Sequence, residues 1–199
     1  MDKTYLTLPA PTPADVHRLA KQQISAMVRR IASGNMTGVQ IPVSTQLHYG
    51  YDAVRHYHAR PELFLQVSGV SRMRLDNGQL YGRANGLILM PRGVAHQETA
   101  DSTREPFCNL VFMHGTDCFA YHAGLPNPKN KTPISSITVA GSCKVTHAYG
   151  SQLYGHLNEA ADFVAAGHPV HHPVVQGLLL AHLGLLLSLV EQSDLLARN

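Results

Sequence analysis

Three residues able to ligate a metal fall within seven positions of this chain, His56, His58 and Glu62. On a β-strand, side chains two apart point to the same face, so His56 and His58 can grip one object from one side. Pro61, just before the glutamate, favours a strand edge, a turn or a strand start. The spacing therefore predicts a first strand ending near His58, a turn through Ala59 and Arg60, and a second strand opening at Glu62. Along that second strand Glu62, Phe64, Gln66 and Ser68 share the ligand face, and Leu63, Leu65 and Val67 face away. A polar and aromatic face suits a lined cavity, and a purely aliphatic face suits packing outside it. A fourth ligand candidate, His96, follows in Pro91-Arg92-Gly93-Val94-Ala95-His96. Three imidazoles and a carboxylate suit a divalent first-row metal (Zn, Fe, Mn or Ni) with positions open for water or substrate.

The rest of the chain divides by texture. Thr12-Pro13-Ala14-Asp15 is a helix start, with a cap residue, proline in the first turn and an acid three after the cap. Val16, Leu19, Ala20, Met27, Val28 and Ile31 make an apolar stripe behind it, and Gly34 is a stop. From 38 to 139 short β-like runs alternate with Gly, Pro and Asn: 38–48, 53–58, 62–68, 71–76, 79–83, 86–90, 95–100, 106–114 and 133–139. Asp76-Asn77-Gly78 is a hairpin signal in which Asn77 and Gly78 can take positive φ. Cys118 to Thr132 reads as a loop. Many short strands argue an antiparallel barrel or sandwich. Leu153, Leu157, Ala161 and Val164 then mark an amphipathic helix ending at Gly167.

A last helix, from Val174 to Val190, is apolar nearly all round and has to be buried. A barrel wall and one partner helix cover only part of it, so a homodimer with this helix at the seam is expected. The alternative is that helix 12–33 covers the remaining face. The apolar run Leu178 to Val190 is expected to be too short to span a bilayer. Net charge of +3 without a Lys/Arg run is too mild to argue nucleic-acid binding by the chain itself. The N-terminus lacks a signal-peptide pattern, and three scattered cysteines (Cys108, Cys118, Cys143) fit a reducing compartment, so a cytoplasmic location is expected.

At the histidine stretch the chain resembles the cupins, small jelly-roll barrels. Gly50, His56, His58, Glu62 and Gly69 reproduce the spacing of their first motif, and Pro91, Gly93 and His96 the end of their second. Gly86 stands one residue too close to the proline, and Ala100 replaces a usual asparagine. The resemblance implies a mainly β fold, an antiparallel cupin jelly-roll barrel with one N-terminal and two C-terminal helices. Residues 1–36 would form a helical arm, 37–142 the barrel, and 143–199 a helical segment packed on it, as one structural domain. This layout is similar to the N-terminal sensor domain of AraC-type transcription regulators, which read a small molecule in the barrel, dimerise through trailing helices and bind DNA through a separate domain. No DNA-binding unit is expected after Val190.

His56, His58, Glu62 and His96 are the expected metal set, or alternatively a constellation that lines a ligand pocket without metal. Phe64, Gln66, Arg55 and Arg72, with Tyr57, are candidates to touch an anionic or polar ligand. His168, His171 and His172 read as an exposed loop, and His114, His122, His147 and His156 as scattered. Two function classes stay open, a ligand-sensing module and a metal-dependent enzyme of the dioxygenase, isomerase or decarboxylase type; no acid/base residue identifies itself for the second.

Overall fold

The computed structural model describes residues 9–44, 56–101, 105–127 and 137–196, with side chains through Ser193. Strands and helices each take 35% of the described residues. Among the described residues, helix α1 (Pro13–Ala32) is followed by nine strands and then by α2 (Gly150–Ala165) and α3 (Pro173–Leu196). The strands are β1 (Val39–Gln40), β2 (Glu62–Ser68), β3 (Val70–Leu75), β4 (Gly78–Arg83), β5 (Leu87–Met90), β6 (His96–Ala100), β7 (Cys108–His114), β8 (Cys118–Pro126) and β9 (Ile137–Thr146). They form two facing sheets, one of order β1-β5-β2-β7-β8-β9 and one of order β4-β3-β6. All pairings are antiparallel except β1 with β5, which runs parallel. This sandwich-like fold is compatible with the cupin expectation.

Local chemistry explains most element ends. Thr12 and Asp15 close a capping box at the start of α1, each satisfying the other's backbone N–H. Gly34 follows the helix with φ of 82°, a conformation that favours glycine. Between β3 and β4 the chain turns through Asp76 and Asn77, but the positive φ falls on Gly78 alone; Asn85 is the one non-glycine with positive φ among the described residues.

Period-2 alternation in β2 separates two apolar clusters. Leu63 and Leu65 join the large core beneath the helices, while Phe64 packs with Met73, Ile88, Met90, Val94 and Val111 between the sheets. β7 and β8 obey the same parity: Leu110, Phe112, Phe119, Tyr121, Ala123 and Leu125 all point to the helices. The expectation of a loop over Cys118–Thr132 is therefore corrected. β8 fills its first nine residues, because alternating apolar side chains outweigh Gly124 and Pro126. The last strand also runs on to Thr146, past the expected end at 139. The expected strands 38–48, 53–58 and 133–139 fall partly on 45–48, 53–55 and 133–136, outside the described residues.

The helices lie on the outer face of the larger sheet. α1 buries Val16, Ala20, Ile24, Met27 and Ile31. α3 buries Val175, Leu179, Leu183, Leu186, Leu189 and Val190, packing on both α1 and α2. The Gln176 side chain donates to the Ile31 carbonyl at 2.8 Å, fixing the α1–α3 crossing. Helix α1 thus covers part of α3 within one chain, and an exposed stripe of Val174, Gly177, Ala181, Gly184 and Ser188 is left. Over Pro173–Ser193 this helix is long and apolar enough to cross a membrane by length and composition. The span exceeds the expected run because Val174 and Val175 extend the apolar character on its N-terminal side, a test that a core helix also passes. Its packed face nevertheless belongs to the core of this fold.

Candidate metal centre

The four predicted ligands meet at one mouth of the sandwich. His56 bridges to His96 through a reciprocal backbone pair, N to O at 3.0 and 2.8 Å. The Gly93 N–H donates to the His58 carbonyl at 2.9 Å, docking the second histidine motif on the first. Gly93 has φ of 73°, which a side chain at that turn would oppose. Glu62 opens β2 opposite Met90 and Met113. One ligand atom from each of His56, His58, Glu62 and His96 lies within 4.8 Å of the others.

Their environments differ. Glu62 and His96 are buried, His58 is half-buried, and His56 stands on the rim, exposed on one side but packed against the other two rings at 4.4 and 4.9 Å. His56 makes only an isolated bridge, so the expected strand ending near His58 is not formed over Tyr57 and His58, and the bend from His58 to Glu62 is held by Arg60. Its guanidinium donates to the His114 carbonyl at 3.3 Å and to Thr116 Oγ1 at 2.7 Å, and lies over the Tyr154 ring of α2.

The donor set fits a cation. His96 Nδ1 lies 3.0 Å from the Val94 carbonyl, which can only accept, so Nδ1 carries the proton and Nε2 presents a lone pair. His58 Nε2 and His96 Nε2 lie 3.2 and 3.4 Å from the same oxygen, Glu62 Oε2. Neither makes a hydrogen bond there, and both nitrogens are buried without another partner. For ligand bonds near ~2.1 Å, tetrahedral neighbours stand about 3.4 Å apart, so the observed separations suit occupancy by one ion. These residues could hold a metal ion.

Electrostatics point the same way. Burial works to raise the Glu62 carboxyl, but the imidazoles of His96, His58 and His56 outweigh it and hold it below its ordinary value. Burial, with help from His96 and His58, pushes His56 down to about 4; burial also lowers His58 against the pull of Glu62. A deprotonated carboxylate and neutral imidazoles are the forms a metal requires.

The other candidates separate. Phe64 faces the interior with its ring 6.0 Å from that of His96, so it borders the cluster. Gln66 also points inward, but its amide is spent on the Ser68 and Cys108 carbonyls at 2.8 and 3.3 Å, at the far end of β2. Arg72 lies on the opposite face of β3 from buried Ser71 and Met73, and its Nε donates to Thr99 at 3.3 Å; strand parity turns it away from the cavity. Arg55 lies outside the described residues.

Two groups escaped the sequence reading. Glu98, two positions beyond His96, faces the same interior and accepts a short hydrogen bond from Asn109 Nδ2. Burial, reinforced by Glu62 and opposed by Asn109, pushes its carboxyl up to about 8. The signal was available, since a strand starting at His96 puts Glu98 on the ligand face. His114 and His182 are the second case. Their rings lie 5.0 Å apart beneath the sheet, with Nδ1 of one near the Pro61 carbonyl (3.3 Å) and of the other near the Leu153 carbonyl (3.0 Å). Burial lowers both, His114 to about 4. They lie sixty-eight positions apart in sequence, and only tertiary packing joins them. His168 and His171 are exposed, as expected, with His168 stacked on Phe163 at 4.0 Å.

A pocket of about 300 Å³ opens beside the cluster, lined by His58, Arg60, Glu62, Met113 and His114. Such a mouth admits a small polar molecule next to the open side of the ligand set. No protein-family model and no curated protein matches this chain.

Proposed function

We propose that this chain is a small-molecule-sensing cupin jelly-roll domain of the AraC-type regulator layout, with a ligand seated beside a divalent metal held by His56, His58, Glu62 and His96. On this reading it is cytoplasmic, works as a homodimer, and touches DNA only through an appended domain. The observation that carries the reading is the short path from the pocket to the helices. Arg60, in the turn between ligands, lies over Tyr154 of α2, and His114, on the pocket wall, contacts His182 of α3. A ligand that displaced either residue would bias how α2 and α3 sit, which a sensor requires. The exposed stripe on α3 is the proposed dimer seam.

A second reading, a metal-dependent enzyme, draws on Glu98. A carboxyl held protonated at neutral pH on the interior face beside His96 is placed to hand a proton to a substrate there. A bound metal would act as Lewis acid at its open positions. The test uses metal-loaded protein and a panel of sugars, polyols and small carboxylates, followed in parallel by thermal shift and by mass spectrometry of the compounds. A compound that binds and returns unchanged supports the sensor; a compound that is consumed replaces it with the enzyme.

A further inference from the structure

We infer that the ligand of the pocket beside the metal cluster is a small carboxylate, and that Arg60 recognises it in exchange for its own hold on α2. The inference rests on the sensor reading and adds to it the charge of the ligand and the contact that carries the signal.

The wall selects the charge. Among the described residues the pocket is lined by one cation, Arg60, and one acid, Glu62. Ala59, Pro61 and Met113 are apolar, and burial holds the imidazoles of His58 and His114 toward their neutral forms. Glu62 turns its Oε2 to His58 and His96, at 3.2 and 3.4 Å, inside the ligand set. With a divalent ion held there, that negative charge is more than balanced and the mouth is net positive. A carboxylate is then the complementary charge. At about 300 Å³ the pocket stands at the small end of the range for ligand sites.

Arg60 is set up for the exchange. Each of its contacts is to a neutral group: the His114 carbonyl at 3.3 Å, Thr116 Oγ1 at 2.7 Å, and the Tyr154 ring, 5.6 Å from its centroid. No carboxylate among the described residues pairs with it. A guanidinium has five N–H donors in a fork that matches a carboxylate, and two of them are engaged here. Hydrogen bonds to an ionised acceptor are roughly twice as strong as those to a neutral one, so an entering carboxylate displaces the hydroxyl and the ring. The backbone beside it is pinned, because the Pro61 carbonyl faces His114 Nδ1 at 3.3 Å. The guanidinium is therefore the part that moves. Tyr154 belongs to α2, which packs on α3, and losing the cation over its ring releases α2 from the mouth of the sandwich.

The test is calorimetric titration of the whole, metal-loaded chain with malonate and propionate, beside malonamide, propionamide and glycerol. Saturable binding of a carboxylate at least about tenfold tighter than of its amide is expected. Arg60→Gln should weaken it about ten- to a hundredfold, with metal content unchanged by elemental analysis. Arg29→Gln, on the wet face of α1, should leave it unchanged. Tyr154→Leu should tighten it about two- to fivefold by removing the ring that competes for the guanidinium, and Tyr154→Phe should keep the wild-type affinity. Equal binding of acid and amide, or an affinity unmoved in Arg60→Gln or in Tyr154→Leu, overturns the inference and leaves the sensor reading standing. Binding of none of these compounds overturns both.

Discussion

Removing the metal should lower the melting temperature of this protein by an amount the site geometry bounds. Without a cation, two buried imidazole nitrogens stand 3.2 and 3.4 Å from one carboxylate oxygen with no hydrogen bond made. Each unsatisfied buried polar atom costs about 1–3 kcal/mol, so occupancy relieves a few kcal/mol before any bond to the ion is counted. A free metal concentration one hundredfold above the dissociation constant adds about 2.7 kcal/mol to stability. At about 2–4 °C per kcal/mol for a chain of this size, chelation should drop the midpoint by roughly 5–10 °C. His56→Ala/His58→Ala removes two of the four donors and should melt at one temperature with or without chelator. The assay is differential scanning calorimetry beside elemental analysis, with pH as an internal control. Because His56 is held at about 4, metal retention should persist through the ordinary imidazole midpoint of 6.5 and fail as pH nears 4. A double variant that still carried stoichiometric metal, or a wild type indifferent to chelation, would refute the reasoning.

Other consequences are open to simpler measurements. His114 is neutral in the fold at any pH above about 4 and protonates near 6.5 when unfolded, so its contribution is fully present above pH 6.5 and is lost as pH falls toward 4. The loss is about 3 kcal/mol across that window, and urea unfolding at stepped pH should show a shallower dependence for His114→Gln. Within α2, Gly150→Ala places a Cβ 1.9 Å from the Thr116 carbonyl, while Gly155→Ala meets nothing within 4 Å. The first should cost several kcal/mol and the second should stabilise by about 0.5–1 kcal/mol, as read by thermal melts. Ala181→Lys/Gly184→Lys on the exposed stripe of α3 should yield folded monomers in light scattering if that stripe is the seam; an unchanged dimer mass would place the seam elsewhere.

Much of the site was legible because its information is local. Parity from Glu62 to Ser68, the break at Pro61 and the capping box at Thr12 each act over a few residues. What escaped was of two kinds. β8 was hidden by weighting Gly124 and Pro126 over the alternation of Phe119, Tyr121, Ala123 and Leu125. There glycine serves packing: a Cβ on Gly124 would stand 2.3 Å from Asn109 Oδ1, so the gap houses the amide that holds Glu98. The His114–His182 contact depends on how the helices cross the sheet, which no local pattern encodes.

β2 serves two masters at once, presenting Glu62 and Phe64 to the cavity and Leu63 and Leu65 to the helices. A slip of one position would turn the carboxylate into oil and the leucines into the mouth of the site. Loss of ligation by that route cannot occur in an otherwise intact molecule, because the same slip empties the helical core. Variation that retunes this centre is therefore confined to side-chain exchange and to the connecting turns, never to the length of the strand that carries it.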